Sequence, residues 1–123
     1  MKPKLSIIWL VLITLSACGA STAAPPPDPV ASGERLYNIW CLGCHSLDPD
    51  GPTTLGPPLG GVATRAAANS EGLSAAAWLR RETLDPNANV TPGYTSGMMP
   101  SDYERAFSPE QLEALIAFML TLE

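Results

Sequence analysis

The chain has 123 residues, 46% of them hydrophobic, 15% charged and 7% aromatic, which suits one compact domain with appendages and excludes two ordinary domains, a coiled coil or a multi-pass membrane protein. The formal charge of −5 understates its acidity: both lysines, Lys2 and Lys4, sit at the extreme N-terminus, and beyond them five arginines face twelve carboxylates. Those arginines are scattered, so no basic stripe is available to neutralise phosphates and nucleic acid is excluded as a partner.

Residues 1–17 place the two lysines before an apolar run from Leu5 to Leu15 and end in Ser16-Ala17, just ahead of Cys18. A basic start, a short apolar stretch and small residues make an export signal, and eleven residues are too few to span a bilayer comfortably. A short uncleaved membrane helix, or a plain signal cleaved elsewhere, would use the same features. Leu15-Ser16-Ala17-Cys18 resembles the bacterial lipoprotein box, which implies that Cys18 is diacylated and becomes the first mature residue. Several acyl chains on one cysteine hold a protein at a membrane where a single chain binds only marginally. The expected location is thus the periplasmic or extracytoplasmic side of a membrane, reached through lipid on Cys18. Residues 18–30 then form a lipid-anchored linker, small residues followed by four prolines in six positions, a composition that cannot build a core. Where it is polyproline-like, at ~3.1 Å per residue, it could hold a domain about 35 Å from the lipid and let it swing between membrane complexes.

Residues 31–123 read as the single domain. Its first helix is expected from Ala31 or Ser32 to about Trp40, and Cys41-Leu42-Gly43-Cys44-His45 follows at once, using two of the three cysteines and the one histidine. Two thiols three positions apart can reach the two vinyl groups of one haem, with the adjacent histidine beneath the iron, so the pentapeptide reads as a c-type haem attachment site. A thioredoxin-like dithiol would need a strand-helix-strand setting that the flanks lack. A structural zinc site would need a second Cys-x-x-Cys or a second histidine, and a disulfide closing so small a ring would stabilise little.

Histidine on one face of the iron restricts the other face, because no second histidine exists and no lysine follows Lys4. Methionine is the natural donor, and the candidates are Met98, Met99 and Met119. Met119 stands at helical spacing with Leu112, Leu115, Ile116 and Leu122, which assigns it to the core. Met98 and Met99 lie in the turn-rich segment Tyr94 to Pro100, where no helical face claims them, so one of this pair is the expected ligand.

Two further helices are legible. One begins at Ser74, with Leu73 and Trp78 at staple positions, and ends before Pro86, since the residue preceding a proline is pushed out of helical geometry. The other opens on Ser108-Pro109-Glu110-Gln111, an N-cap serine, a proline in the first turn and a glutamine that completes a capping box, with Phe107 and Leu112 as the staple. It is expected to run to about Thr121 with Leu112, Leu115, Ile116, Met119 and Leu122 on one side. No segment alternates like a strand, so the fold class is all-α. A domain of this size has a modest core, which a covalently held haem would enlarge.

Taken together, residues 31–123 resemble class I cytochrome c, the small monohaem electron carriers. Gly33 and Tyr37 stand where that family has a glycine and an aromatic in its N-terminal helix, which crosses the C-terminal helix at close range; Cys41, Cys44 and His45 come next. Gly56-Pro57-Pro58-Leu59-Gly60 is similar to the family's Gly-Pro-x-Leu-x-Gly segment. The resemblance implies that the Pro57 carbonyl accepts the proton on the second nitrogen of the haem histidine, a bond that fixes the ring and raises its basicity. Met99-Pro100 is similar to the Met-Pro of bacterial members, which favours Met99 over Met98 as the iron ligand.

The function this implies is one-electron transfer by a single covalent haem c with histidine and methionine ligands, tethered to a membrane and serving redox partner proteins of a respiratory or photosynthetic chain. No small-molecule substrate is expected, and no serine or cysteine sits in a nucleophile motif. Two rivals share these features: a fixed haem subunit of a membrane oxidoreductase complex, and a gas-binding or weakly peroxidatic haem domain whose methionine dissociates. With no lysine in the mature chain, the expected partner face is basic or mostly apolar. Tyr37, Trp40, Trp78, Tyr94 and Tyr103 are read as core or half-buried packing. Arg80 and Arg81 would pair with haem propionates or a partner, or form a solvated helix face; Asp48, Asp50, Glu71, Glu82 and Asp85 read as solvated surface.

Overall fold

Asp28 and Pro29 start the first helix. The Asp28 carboxylate accepts a hydrogen bond from the Val30 amide at 2.9 Å, and a proline at the helix start has its φ already set for the first turn. α1 (Pro29–Trp40) therefore begins two residues before Ala31, within the segment whose composition reads as linker up to Val30. The Asp-Pro cap is disguised there by the prolines that precede it. The computed structural model describes residues 26–51 and 54–123; the export signal, Cys18 and the linker up to Pro25 lie outside the described residues.

α2 (Val62–Ala67) is a short helix that periodicity does not reveal, since six residues are too few to show a repeat. α3 (Ala75–Leu84) has the expected Ser74 cap, whose hydroxyl accepts from the Ala77 amide at 3.2 Å, and stops ahead of Pro86. The four-residue α4 (Tyr103–Ala106) leads into α5 (Pro109–Met119), which opens on the expected capping box. There the Ser108 hydroxyl accepts from the Gln111 amide at 3.2 Å and the Gln111 side chain accepts from the Ser108 amide at 2.8 Å. α5 ends two residues short of Thr121, but Leu122 still packs on the core, and its carbonyl accepts from the Ala63 amide at 2.9 Å, tying the C-terminus to α2. Among the described residues there is no strand, and no helix is long and apolar enough to cross a membrane.

The most extensive helix contact is between α1 and α5, the first and last elements. Tyr37, Leu115 and Ile116 are fully buried there, and each large apolar side chain withdrawn from water contributes about 1.5–3 kcal/mol. Met119 is buried with them, as its spacing predicts. Trp40, at the end of α1, packs edge-on against Phe107 with centroids 5.6 Å apart, and Phe107 stacks on Tyr103 at 5.2 Å. This aromatic group closes one end of the helix pair.

The arginines of α3 pair with carboxylates. Arg80 grips Glu113 of α5 through Nε and Nη2 at 2.6–3.0 Å, and Arg81 pairs with Glu71 and Glu82. The hydrogen bonds from Arg81 hold the Glu71 carboxyl below the usual carboxylate range. Glu71 and Glu82, expected as plain solvated surface, are thus members of an ion-pair cluster. Solvent screens pairs as exposed as these, so they add little and apolar packing dominates stability.

Gly33 sets how closely α1 and α5 approach. A Cβ at that position would run into the backbone carbonyl of Ala114 and lie 2.7 Å from the Phe118 Cβ. Gly33→Ala is therefore expected to force the helices apart and to destabilise the protein by about 1–3 kcal/mol, read as a lower denaturant midpoint of the haem-loaded protein.

Candidate functional site

The site begins where α1 stops. The Cys41 and Leu42 amides both donate to the Tyr37 carbonyl, at 2.8 and 3.0 Å, and the Cys44 and His45 amides both donate to the Cys41 carbonyl, at 3.0 and 2.9 Å. These bonds wind Cys41 to His45 into a tight turn in which both cysteines and His45 are half-buried. Burial, and next the neighbouring Cys44, push the Cys41 thiol up to about 11, so it is a neutral thiol at physiological pH. The buried Tyr37 hydroxyl donates to the His45 carbonyl at 2.7 Å, linking the helix core to the turn.

A second loop lies against the first. The Gly56 amide donates to the Cys44 carbonyl at 2.8 Å, the Leu59 amide to the Ser46 carbonyl at 2.7 Å, and the Thr54 hydroxyl also bonds the Cys44 carbonyl. This brings the Pro57 carbonyl to 2.7 Å from His45 Nδ1. A carbonyl can only accept, so Nδ1 carries a proton, and Nε2 is the nitrogen left for a metal, as a ligating imidazole needs. Arg65 of α2 secures the loop from the other side, donating to the Gly60 carbonyl at 2.8 Å and the Pro58 carbonyl at 2.5 Å.

Cys41, His45 and Pro57 line an open, mostly apolar cleft. Leu59, Val62, Leu79 and Phe107 give it apolar walls, and the segment from Pro86 to Met99 lines another side, including Tyr94, Met98 and Met99. Met99 is half-buried and packs on the core, whereas Met98 is 50% exposed. Met119 also contributes surface to the cleft while remaining buried in the core. The donor set fits a haem held through two thiols: paired cysteines beside an imidazole of the right tautomer, thioethers lining the same space, and apolar walls for the macrocycle. Among the described residues no three His, Cys, Asp or Glu side chains converge to hold a metal ion by themselves.

Of the described residues named from sequence as cofactor or iron contacts, Cys41, His45, Pro57, Met98 and Met99 line this cleft, Cys44 stands next to His45 in the turn without lining it, and Cys18 lies outside the described residues. Arg80 and Arg81 do not line it; the arginine that does is Arg65. Nothing in Val62 to Ala67 marks Arg65 in the sequence, because its partners are carbonyls of a loop whose path is set by tertiary contacts. Trp78, Tyr94 and Tyr103 form part of the lining, while Tyr37 acts from beneath.

Gly56 lets the imidazole sit where it does. A Cβ there would collide with the His45 ring, meeting Cε1 and coming within 2.7 Å of Nδ1 and 2.8 Å of Nε2, whereas a Cβ at Gly43 meets nothing within 4 Å. Gly56→Ala is expected to push the ring off the Pro57 carbonyl, costing about 1–3 kcal/mol and reducing the yield of haem-loaded protein. Gly43→Ala should match wild type in the same expression and denaturation assays.

Residues 30–123 match the family model described as Cytochrome c. A protein named cytochrome c from Ulva intestinalis is 27% identical over 104 residues, an alignment that covers 78% of this chain and 91% of that one.

Proposed function

The chain belongs to the cytochrome c family, haem proteins that carry electrons with a covalent c-type haem, and we propose that it is a membrane-tethered carrier in which His45 and Met99 would be the two side chains that ligate the iron. The observation that carries this reading is the 2.7 Å hydrogen bond between His45 Nδ1 and the Pro57 carbonyl, in a cleft that Met99 also lines.

A haem bound here would supply one-electron chemistry at its iron. Cys41 and Cys44, the two half-buried thiols of the turn, would be the residues that hold it covalently. The Pro57 carbonyl holds the proton on Nδ1 and fixes the ring orientation, which leaves Nε2 of His45 as the nitrogen that would face the iron. Met99 Sδ would be a neutral, soft donor, the kind that raises the potential relative to harder ligands. Leu59, Val62 and Leu79 give the cleft apolar walls that would limit water around the group. Two side-chain donors to one iron would leave no position for a substrate, which suits a carrier rather than an enzyme.

Export and diacylation at Cys18 place this domain at a membrane on the extracytoplasmic side. The proline-rich linker gives it the reach to meet redox partner proteins of an electron-transfer chain. Its excess of carboxylates and lack of mature lysine suit a partner face that is basic or apolar.

The ligand assignment is tested by the weak near-infrared charge-transfer band that methionine sulfur gives on ferric haem iron. The band is expected in wild type and Met98→Ala and absent in Met99→Ala; its loss only in Met98→Ala would move the ligand by one residue, and its absence from wild type would support an open-iron, ligand-binding protein instead. For the tether, Cys18→Ser is expected to move the exported protein from the membrane pellet to the soluble extracytoplasmic fraction with its haem spectrum unchanged. A variant that stays with the membrane would refute the lipid anchor at Cys18.

A further inference from the structure

Between α3 and α4 the chain runs through residues 85–102 without a helix, a long connection for a small domain, and it carries the methionine pair. Its backbone is sparsely held. The Ala88 amide bonds the Asp85 carbonyl and the Tyr94 amide bonds the Thr91 carbonyl, but among the described residues no backbone–backbone hydrogen bond reaches residues 95–101. What ties that stretch down is a side chain from the loop's other end. Asn87 Oδ1 accepts from the Gly97 amide at 2.7 Å and from the Ser96 hydroxyl at 2.8 Å. The Gly97 N–H can only donate, so the atom facing it is the carboxamide oxygen.

The tie sits at a decisive point. Gly97 has φ +80°, a left-handed conformation that favours glycine, and it immediately precedes Met98 and Met99. Beyond this turn the two neighbouring thioethers part company, Met98 half exposed and Met99 packed against the core. Asn87 is itself preceded by Pro86, whose ring restricts the backbone from which the strap springs. A loop of this length is costly to hold in one conformation, and a cross-link that divides it into two shorter arcs reduces that cost.

We propose that Asn87 is a positioning residue for the methionine ligand: its Oδ1 pins Ser96 and Gly97 and so fixes the register that presents Met99, rather than Met98, to the iron. This rests on the His45 and Met99 ligation proposed above. Asn87 acts through the backbone and does not itself bind iron. Without its acceptor the loop opens more often, and the sixth position becomes accessible to outside ligands in proportion to the open fraction.

The experiment is an optical titration of the ferric haem-loaded protein with imidazole, a small competitor for the methionine position, in wild type, Asn87→Ala and Asn87→Asp. Asn87→Ala is expected to bind imidazole about tenfold more tightly, the change that losing two ordinary hydrogen bonds produces. Asn87→Asp keeps both acceptor contacts and should stay within about twofold of wild type. Amide exchange at Gly97 should quicken in Asn87→Ala alone, a readout that does not depend on electron transfer. Unchanged imidazole affinity in Asn87→Ala, or an equal rise in both variants, would overturn the role of Asn87 while leaving the ligation intact. Absence of the sulfur charge-transfer band in wild type would instead overturn the ligation, and the strap's purpose with it.

Discussion

Tyr37 is the residue on which core and site both depend. Its ring is fully buried between α1 and α5, 5.6 Å from that of Phe118. Its carbonyl takes the two amides that end α1, and its hydroxyl donates to the carbonyl of His45. The position of the imidazole is therefore referred directly to the helix pair, and the helix pair is set by the absence of a side chain at Gly33. Burial also pushes the Tyr37 hydroxyl up, which keeps it a donor across the physiological range. A shift in helix spacing would be felt at His45 through a single residue.

From His45 outward the site is built from loops fastened to one another. The Cys41 to His45 turn hangs from α1, the Gly56 to Gly60 loop is bonded to that turn, and Arg65 bonds the loop to α2. α2 is in turn tied to the C-terminal residues through Ala63 and Leu122. Each link is a hydrogen bond of modest net worth, yet they form a chain running from the first helix to the last residues. That arrangement lets a domain with a small core hold an imidazole in one orientation and one tautomer.

What the sequence made legible was what is local. The Ser108 capping box, the Ser74 cap and the Pro86 stop each act over three or four residues, so they can be read without knowing the fold. Cys41, Cys44 and His45 are contiguous, and their chemistry is legible for the same reason. Pro57 became legible only through resemblance, because its carbonyl meets a residue twelve positions away. Arg65 and Asn87 stayed hidden, since an arginine on a short helix and an asparagine after a proline have no distinguishing local pattern and matter only for the loops they reach. α2 and α4 are too short for periodicity to find, and the start of α1 was masked by the prolines around its Asp28 cap.

The pairing of first helix with last has a consequence for the order of events as the chain is made. The face of α1 that carries Gly33 and Tyr37 has its partner in residues 109–119, so it stays uncovered while everything between is synthesised. Closing so long a loop is slow compared with forming the helices themselves. Until it closes, the segment with the two cysteines cannot take its final burial, and both thiols stay open to whatever machinery must reach them. The topology thus leaves a natural interval for covalent modification between emergence of the attachment motif and arrival of α5, whose docking on α1 brings that interval to an end.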